Sequence, residues 1–413
     1  MNADVPLPRS GFARAVAIHS LGWLVAANAI GLWMGVCLLW PNVGDAIAPF
    51  TFGRWAPLHL NWQLYGWCSL PLVGALFAWF LNSENVHAAR DARWSLRAWT
   101  VALIFGGVAW LGGTASGKLF LEWHGWARPL LPLAMLVLWG VLTAHTRGRW
   151  ERLATSERGL SALLLALLLP VPFVLFWSTS PGLYPSVNPD SGGATGAALL
   201  GSTLGIVTLF MLLPRWLRLK QNGSGRPFWW ALGASWFVFA AIDRGNASHY
   251  SVAQVLALGT LLVWVPLLPL FWSRQNWPVA ARPWLRAAAA WWSLLVVSGW
   301  LTFLPGISEI LKFTHALVGH AHLAMAGLVT SVNAAILLAI THRSPARGVF
   351  GVWQLGCAVF VAAMLTLGWG ETEHQAELFR SETWTQFILG VRLVGGALMT
   401  AASGQWLLTA IRS

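Results

Sequence analysis

Twelve apolar runs, each long enough to cross a lipid bilayer, constrain this chain more than any other feature. A transmembrane helix needs about 20 mostly apolar residues, and the 413-residue sequence is 57% hydrophobic and only 10% charged. Because a membrane span must satisfy its backbone hydrogen bonds internally, such runs predict helices. We therefore expect an all-α polytopic membrane protein with twelve transmembrane helices and one domain over residues 1–413. The predicted spans are 14–40, 56–81, 97–114, 127–146, 159–180, 191–213, 227–245, 252–273, 284–305, 313–342, 349–369 and 383–411.

The distribution of basic residues predicts the orientation of these spans, because cytoplasmic loops carry an excess of Lys and Arg. With the N-terminus inside and the spans alternating, 19 basic residues fall in inside segments and 6 in outside segments, while Arg392 lies within the last span. This asymmetry explains the net charge of +12 without a nucleic-acid partner. We expect a multi-pass protein of the cell's inner (cytoplasmic) membrane, surrounded by the lipid bilayer, with a cytoplasmic N-terminus.

The cysteines and the first apolar run exclude several other classes. Cys37, Cys68 and Cys357 form no C-x-x-C pair and no C-x-x-C-H sequence, so neither a disulfide framework nor a covalent c-type haem is predicted. The run that begins near Arg14 is too long for a cleavable signal peptide and has no cleavage site. We see no soluble domain in the sequence.

Three histidines at similar predicted depth are the main candidates for a functional site. His59 begins the second span, and His320 and His322 lie in the first third of the tenth, which runs in the same direction. Ionisable residues inside a membrane are costly and usually functional. Two residues represent about 200° of helix rotation, so His320 and His322 could each reach a different large cofactor, such as a haem. A polar helix-packing network and a proton path are the alternatives that these residues leave open.

The number of spans and the placement of the histidines resemble subunit I of the haem-copper oxidase superfamily. The sequence "GHAH" at 319–322 resembles that family's tenth-helix motif. The pairs "RP" at 226–227 and "HY" at 249–250 resemble the cbb3-type cytochrome c oxidase branch, which includes the related nitric oxide reductases. The resemblance covers the whole chain and implies two b-type haems toward the outer face of the membrane.

Individual roles follow from this resemblance. His59 and His322 would be the axial ligands of a low-spin haem, and His320 would ligate a second, high-spin haem. A low-spin iron with two His ligands suits electron transfer, whereas one His leaves a position for O2 or NO. His315, Arg244 and Lys312 are candidate partners of the haem propionates, since Arg matches carboxylate geometry well. Ordinary interfacial charges are the alternative for these three.

The sequence departs from the family at the copper site. The expected helix-six histidine falls at Ala194, and the helix-seven histidine pair is replaced by Asn246 and Ala247. Only His249 remains nearby, as a candidate vestigial ligand. Copper and non-haem iron favour two or three strong nitrogen or oxygen ligands, so we expect the copper to be absent.

Three functions are compatible with these residues. The first is an electron-transfer haem subunit, partnered by other membrane redox subunits and supplied by a c-type cytochrome or a quinol. The second is a terminal O2 or NO reductase with an atypical distal site, for which a cytochrome c oxidase or nitric oxide reductase activity would be expected. The third is a haem-based gas sensor or a structural membrane subunit.

Overall fold

A computed structural model gives the fold of the chain, and its regular secondary structure is helical in the part that it describes, apart from an isolated bridge between Gln221 and Gln275. The expected all-α class is therefore confirmed. The described residues are 11–81, 85, 87–180, 182–183, 204–242, 252–302, 304, 306–311, 314–373 and 382–412.

Eight helical segments of the described residues are long and apolar enough to cross a membrane, which supports a multi-pass membrane protein. The twelve-span count is not confirmed and stays a prediction. The eight segments do not include the second, sixth, seventh and ninth predicted spans, of which the sixth and seventh extend into residues 191–203 and 243–245, outside the described residues. The eight segments are Ala13–Leu39, Ala88–Leu111, Gly125–Arg147, Thr155–Ser178, Val255–Ser273, His315–Thr341, Val349–Thr372 and Thr383–Arg412.

The chain divides into two compact units. The first contains residues 1–183, 336–349 and 400–413, and the second contains residues 184–335 and 350–399. The helices within residues 1–183 are α1 Ala13–Leu39, α2 Pro41–Asp45, α3 Phe52–Asn61, α4 Leu70–Phe80, α5 Ala88–Leu111, α6 Leu130–Arg147, α7 Thr155–Leu168 and α8 Val171–Ser178. The following helices are α9 Leu204–Trp216, α10 Arg226–Ile242, α11 Val252–Gly259, α12 Trp264–Ser273, α13 Arg282–Leu301, α14 Ile307–Leu311, α15 His315–His322, α16 Thr330–Thr341, α17 Val349–Glu373 and α18 Thr383–Arg412.

Two seven-residue π-helical segments, Trp62–Cys68 and Leu323–Val329, interrupt the helices that carry the candidate histidines. A hydroxyl just after each segment donates to the carbonyl five residues earlier: Ser69 Oγ to Leu64 at 2.8 Å, and Thr330 Oγ1 to Met325 at 3.0 Å. π-helical turns are rare and are frequently found at functional sites.

Each π-helical segment contains a glycine that packs against a tryptophan of an earlier helix. A Cβ atom on Gly66 would lie 2.6 Å from Trp23 Cβ, and one on Gly327 would lie 2.6 Å from Trp291 Cδ2. Because real Cβ atoms do not approach so closely, only glycine admits the tryptophan at these positions.

A third helix completes each arrangement. The Trp99 indole in α5 donates to the Tyr65 carbonyl at 2.7 Å, and the Trp353 indole in α17 donates to the Ala326 carbonyl at 3.0 Å. Each acceptor directly precedes the π-helical glycine. The two units thus contain the same local arrangement of three helices.

Candidate functional site

His59 lies in the last turn of α3 and is held by α1. Its Nδ1 lies 2.8 Å from the carbonyl oxygen of Ala27. Since a carbonyl only accepts, Nδ1 carries a proton, and in a neutral ring Nε2 would then carry the lone pair. A Cβ on Gly31 would lie 2.6 Å from His59 Cε1, so α1 has a glycine where the imidazole packs. Metal-ligating histidines are commonly oriented by such an Nδ1–H···O=C bond.

His322, the last residue of α15, has the same kind of support. Its Nδ1 donates to the Val318 carbonyl, one turn earlier, at 2.8 Å. Its ring also packs against the Phe360 ring of α17 in a tilted arrangement, with the ring centroids 4.2 Å apart and an interplanar angle of 31°. Backbone and aromatic contacts together fix the tautomer and the plane of this imidazole.

Phe360 also contacts the membrane arginine Arg392. The Arg392 guanidinium carbon lies 5.2 Å from the centroid of the Phe360 ring, within the range of a cation–π interaction. The cation in the last predicted span is therefore one aromatic ring away from His322.

His320 is held by α13 through a side chain instead of a carbonyl. Its Nδ1 lies 3.2 Å from Ser298 Oγ, and a Cβ on the adjacent Gly299 would lie 3.2 Å from His320 Cε1. His320 therefore contacts α13, whereas His322 contacts α17. This difference agrees with the rotation that an H-x-H pair has on a helix.

His315 begins α15 and is bound by an acid that the sequence analysis did not select. Its backbone N–H donates to Glu371 Oε2 at 2.6 Å, and its Nδ1 lies 2.6 Å from Glu371 Oε1. Thr314 caps the same helix by accepting from the Ala316 N–H at 3.2 Å. With Nδ1 bonded to Glu371, a propionate contact of His315 would have to use Nε2. A Glu two residues after the predicted span 349–369 is a signal that could have pointed to this pair.

Asn61 stands two residues after His59, as His322 stands two residues after His320. Its Nδ2 donates to Glu122 Oε2 at 2.8 Å and to the Pro57 carbonyl at 2.7 Å. Both Asn61 and Glu122 are buried. Burial raises the pKa of the Glu122 carboxyl, and the Asn61 hydrogen bond opposes that rise. The pair was missed because its two residues come from a span and a distant loop.

Several residues named from the sequence lie outside the described residues: Arg244, Lys312, His249, Ala194, Asn246 and Ala247. The predictions made for them stay predictions. In the part of the chain that the structure describes, no group of three or more His, Cys, Asp or Glu side chains could hold a metal ion.

The donor chemistry of the described histidines fits haem. A neutral imidazole with its proton on Nδ1 would present Nε2 to a metal, and the carbonyl acceptors at Nδ1 of His59 and His322 favour this tautomer in both rings. His59 belongs to the first unit, and His320 and His322 belong to the second.

Comparison with known proteins identifies a solved structure of similar fold. No family model matches the sequence, and no curated protein matches it. Among the similar solved structures is a haem-copper terminal oxidase dimer determined by cryo-electron microscopy, which is 15% identical with a TM-score of 0.50. The match covers 97% of this chain and 84% of the oxidase chain. The chain is similar in fold to this terminal oxidase. At this identity the likeness concerns the fold alone.

Proposed function

We propose that this chain is a membrane b-type haem protein that carries electrons within a respiratory or redox complex. The observation that carries the proposal is the matched support of His59 and His322, whose Nδ1 atoms each donate to a backbone carbonyl at 2.8 Å. These two imidazoles occur in a chain whose fold is similar to that of a terminal oxidase. Because both rings make the same Nδ1–H···O=C hydrogen bond, both are suited to the same kind of metal ligation.

In this proposal His59 and His322 are the axial ligands of a low-spin haem, and His320 ligates a second, high-spin haem. The haem irons would supply one-electron transfer and, where a coordination position is open, binding of a diatomic gas. The chain's own contribution is to orient the rings. Carbonyl acceptors raise the basicity of His59 and His322. His320 instead pairs with the Ser298 hydroxyl, at the longer distance of 3.2 Å, so its basicity should be raised less.

The proposal also holds that the copper centre has been lost. Ala194, Asn246 and Ala247 occupy the positions where the resemblance expects histidines, which leaves His249 as a single vestigial ligand. One imidazole does not supply the two or three strong donors that copper requires. We further propose Arg244, Lys312 and His315 as partners of the haem propionates.

Electrons must then come from outside the chain. The sequence contains no covalent haem motif, so a c-type cytochrome carried by another membrane subunit, or a membrane quinol, is the proposed source. The proposed location is the inner membrane, with a cytoplasmic N-terminus and the haem sites toward the outer face.

A second candidate function is terminal reduction of O2 or NO at an atypical distal site. The observation that favours it is His320, which is held in place by Ser298 and Gly299 although an electron-transfer subunit needs only the low-spin site.

An assay of the purified protein separates these two functions. A quinol or reduced cytochrome c is added, and haem reduction, consumption of O2 or NO, and copper and iron content are measured together. We expect haem reduction without stoichiometric copper, and no more gas consumption than in the His320→Ala variant. Gas consumption that depends on His320, with one copper or extra iron per chain, would contradict the electron-transfer proposal and establish the reductase.

A further inference from the structure

A cleft in the first unit combines two arginines with apolar walls. It lies between the first turns of α1, the end of α16 with the residues that follow, and the end of α18. Arg14 and Arg343 line it, and no Asp or Glu is among its described lining residues. The Nη2 atom of Arg14 donates to the Ile411 carbonyl at 2.6 Å, which holds the guanidinium at the end of α18. The cleft therefore carries positive charge.

The walls of this cleft are suited to an amphiphile. Beside the arginines stand Ala17, Leu337, Ile340 and the buried Trp406. A free anion would need only the charges, whereas a lipid would place its phosphate on the guanidiniums and its glycerol and first methylenes on the apolar wall. Arg forms strong, charge-assisted hydrogen bonds with phosphate oxygens.

The position of the cleft on the chain agrees with such a ligand. It is formed at the ends of three predicted spans that the positive-inside pattern assigns to the cytoplasmic side. Basic pockets between spans on that side bind the headgroups of acidic lipids. We propose that this cleft binds the phosphate headgroup of an acidic phospholipid of the cytoplasmic leaflet. This proposal does not depend on the haem assignments.

Native mass spectrometry of the full-length protein with added phosphatidylglycerol or phosphatidylcholine tests the site. The informative variant is Arg343→Gln, because Arg343 is exposed and its replacement should leave the fold intact, as thermal unfolding will check. The matched control is Arg347→Gln, which makes the same charge change in the same connection but does not line the cleft. We expect one tightly retained phosphatidylglycerol, about fivefold weaker binding in Arg343→Gln, and unchanged binding in Arg347→Gln.

Four results would overturn the proposal. Equal weakening by the two variants would show general surface electrostatics. Equal binding of phosphatidylcholine would show that no acidic headgroup is selected. Displacement of the lipid by millimolar inorganic phosphate would show that the cleft binds the free anion and not a lipid. If the full-length protein bound no acidic lipid but a variant lacking residues 2–10 did, the chain's own N-terminal segment would be the occupant.

Discussion

His59 and His320 occupy equivalent positions in two similar arrangements, and the contacts around them differ. Each stands three residues before a π-helical segment and packs against a glycine of an earlier long helix. His59 donates to a carbonyl at 2.8 Å, whereas His320 meets the Ser298 hydroxyl at 3.2 Å. The space also differs, since a Cβ on Gly31 would lie 2.6 Å from its ring and one on Gly299 would lie 3.2 Å away. Two similar arrangements of helices thus hold two imidazoles, and the hydrogen bond and the packing around His59 are tighter than those around His320.

The residue two positions later differs as well. In the first arrangement Asn61 is bonded to the buried Glu122, and in the second His322 donates to Val318 and packs against Phe360. The first arrangement therefore presents one imidazole and the second presents two. This difference gives the chain three candidate ligands, the number that two haems with bis-His and single-His ligation need.

The largest effect is expected from His322→Ala. On the proposed ligand assignment this change removes one of two axial ligands, so it should abolish the low-spin b-haem bands in the reduced-minus-oxidised spectrum. The exposed His87 offers a matched control, and His87→Ala should leave the bands unchanged. A normal low-spin spectrum in His322→Ala would remove this residue from the ligand set.

The two glycines test the difference in space. Gly31→Ala should displace the His59 ring and strongly reduce the content of the proposed low-spin haem. The overpacking should also lower the free energy of unfolding by about 1–3 kcal/mol. Gly299→Ala should have a smaller effect. The added Cβ would lie 3.2 Å from His320 Cε1, which is 0.6 Å more than the 2.6 Å between a Cβ on Gly31 and His59 Cε1 (3.2 − 2.6). Haem content per chain and the melting temperature measure both effects. Equal losses in the two variants would show that the two imidazoles are held equally firmly.

Arg392→Met tests whether the Arg392 charge, which contacts the Phe360 ring beside His322, influences the proposed haem. A nearby, half-buried cation favours the reduced iron, which carries less positive charge, so its removal should lower the midpoint potential of the proposed low-spin haem by on the order of 50 mV. Arg412→Met, on the exposed end of the same helix, should leave the potential unchanged. A potentiometric titration measures both variants, and a potential that does not move in Arg392→Met would exclude this influence.

The smallest effect is expected from Ser298→Ala, which removes the hydroxyl beside His320. A hydrogen bond of this kind contributes about 1 kcal/mol, so we expect a shift of a few wavenumbers in the iron–histidine stretch and at most a fewfold change in CO affinity. Ser293→Ala is the control, because the Ser293 hydroxyl bonds to its own helix at Ala289. If the His320 signal were identical in Ser298→Ala and wild type, the hydroxyl would have no role.

The helices could be predicted from the sequence, because lipid requires long apolar runs, and the candidate histidines could be selected because polar residues within such runs are conspicuous. The depth of these histidines in the membrane stays a prediction. Helix ends were less accurate. The sequence predicts the third span at 97–114, whereas α5 begins at Ala88, because a helix continues through charged residues that end an apolar run. The π-helical segments, the Glu371–His315 pair and the Arg392–Phe360 contact could not be predicted, because they depend on which helices become neighbours.

Haem and metal stoichiometry of the purified wild-type protein, combined with a CO-difference spectrum, tests the central claim most directly. The account predicts two b-type haems per chain, one of which binds CO, and no stoichiometric copper. A chain with no haem, or one with a full copper per chain, would contradict it.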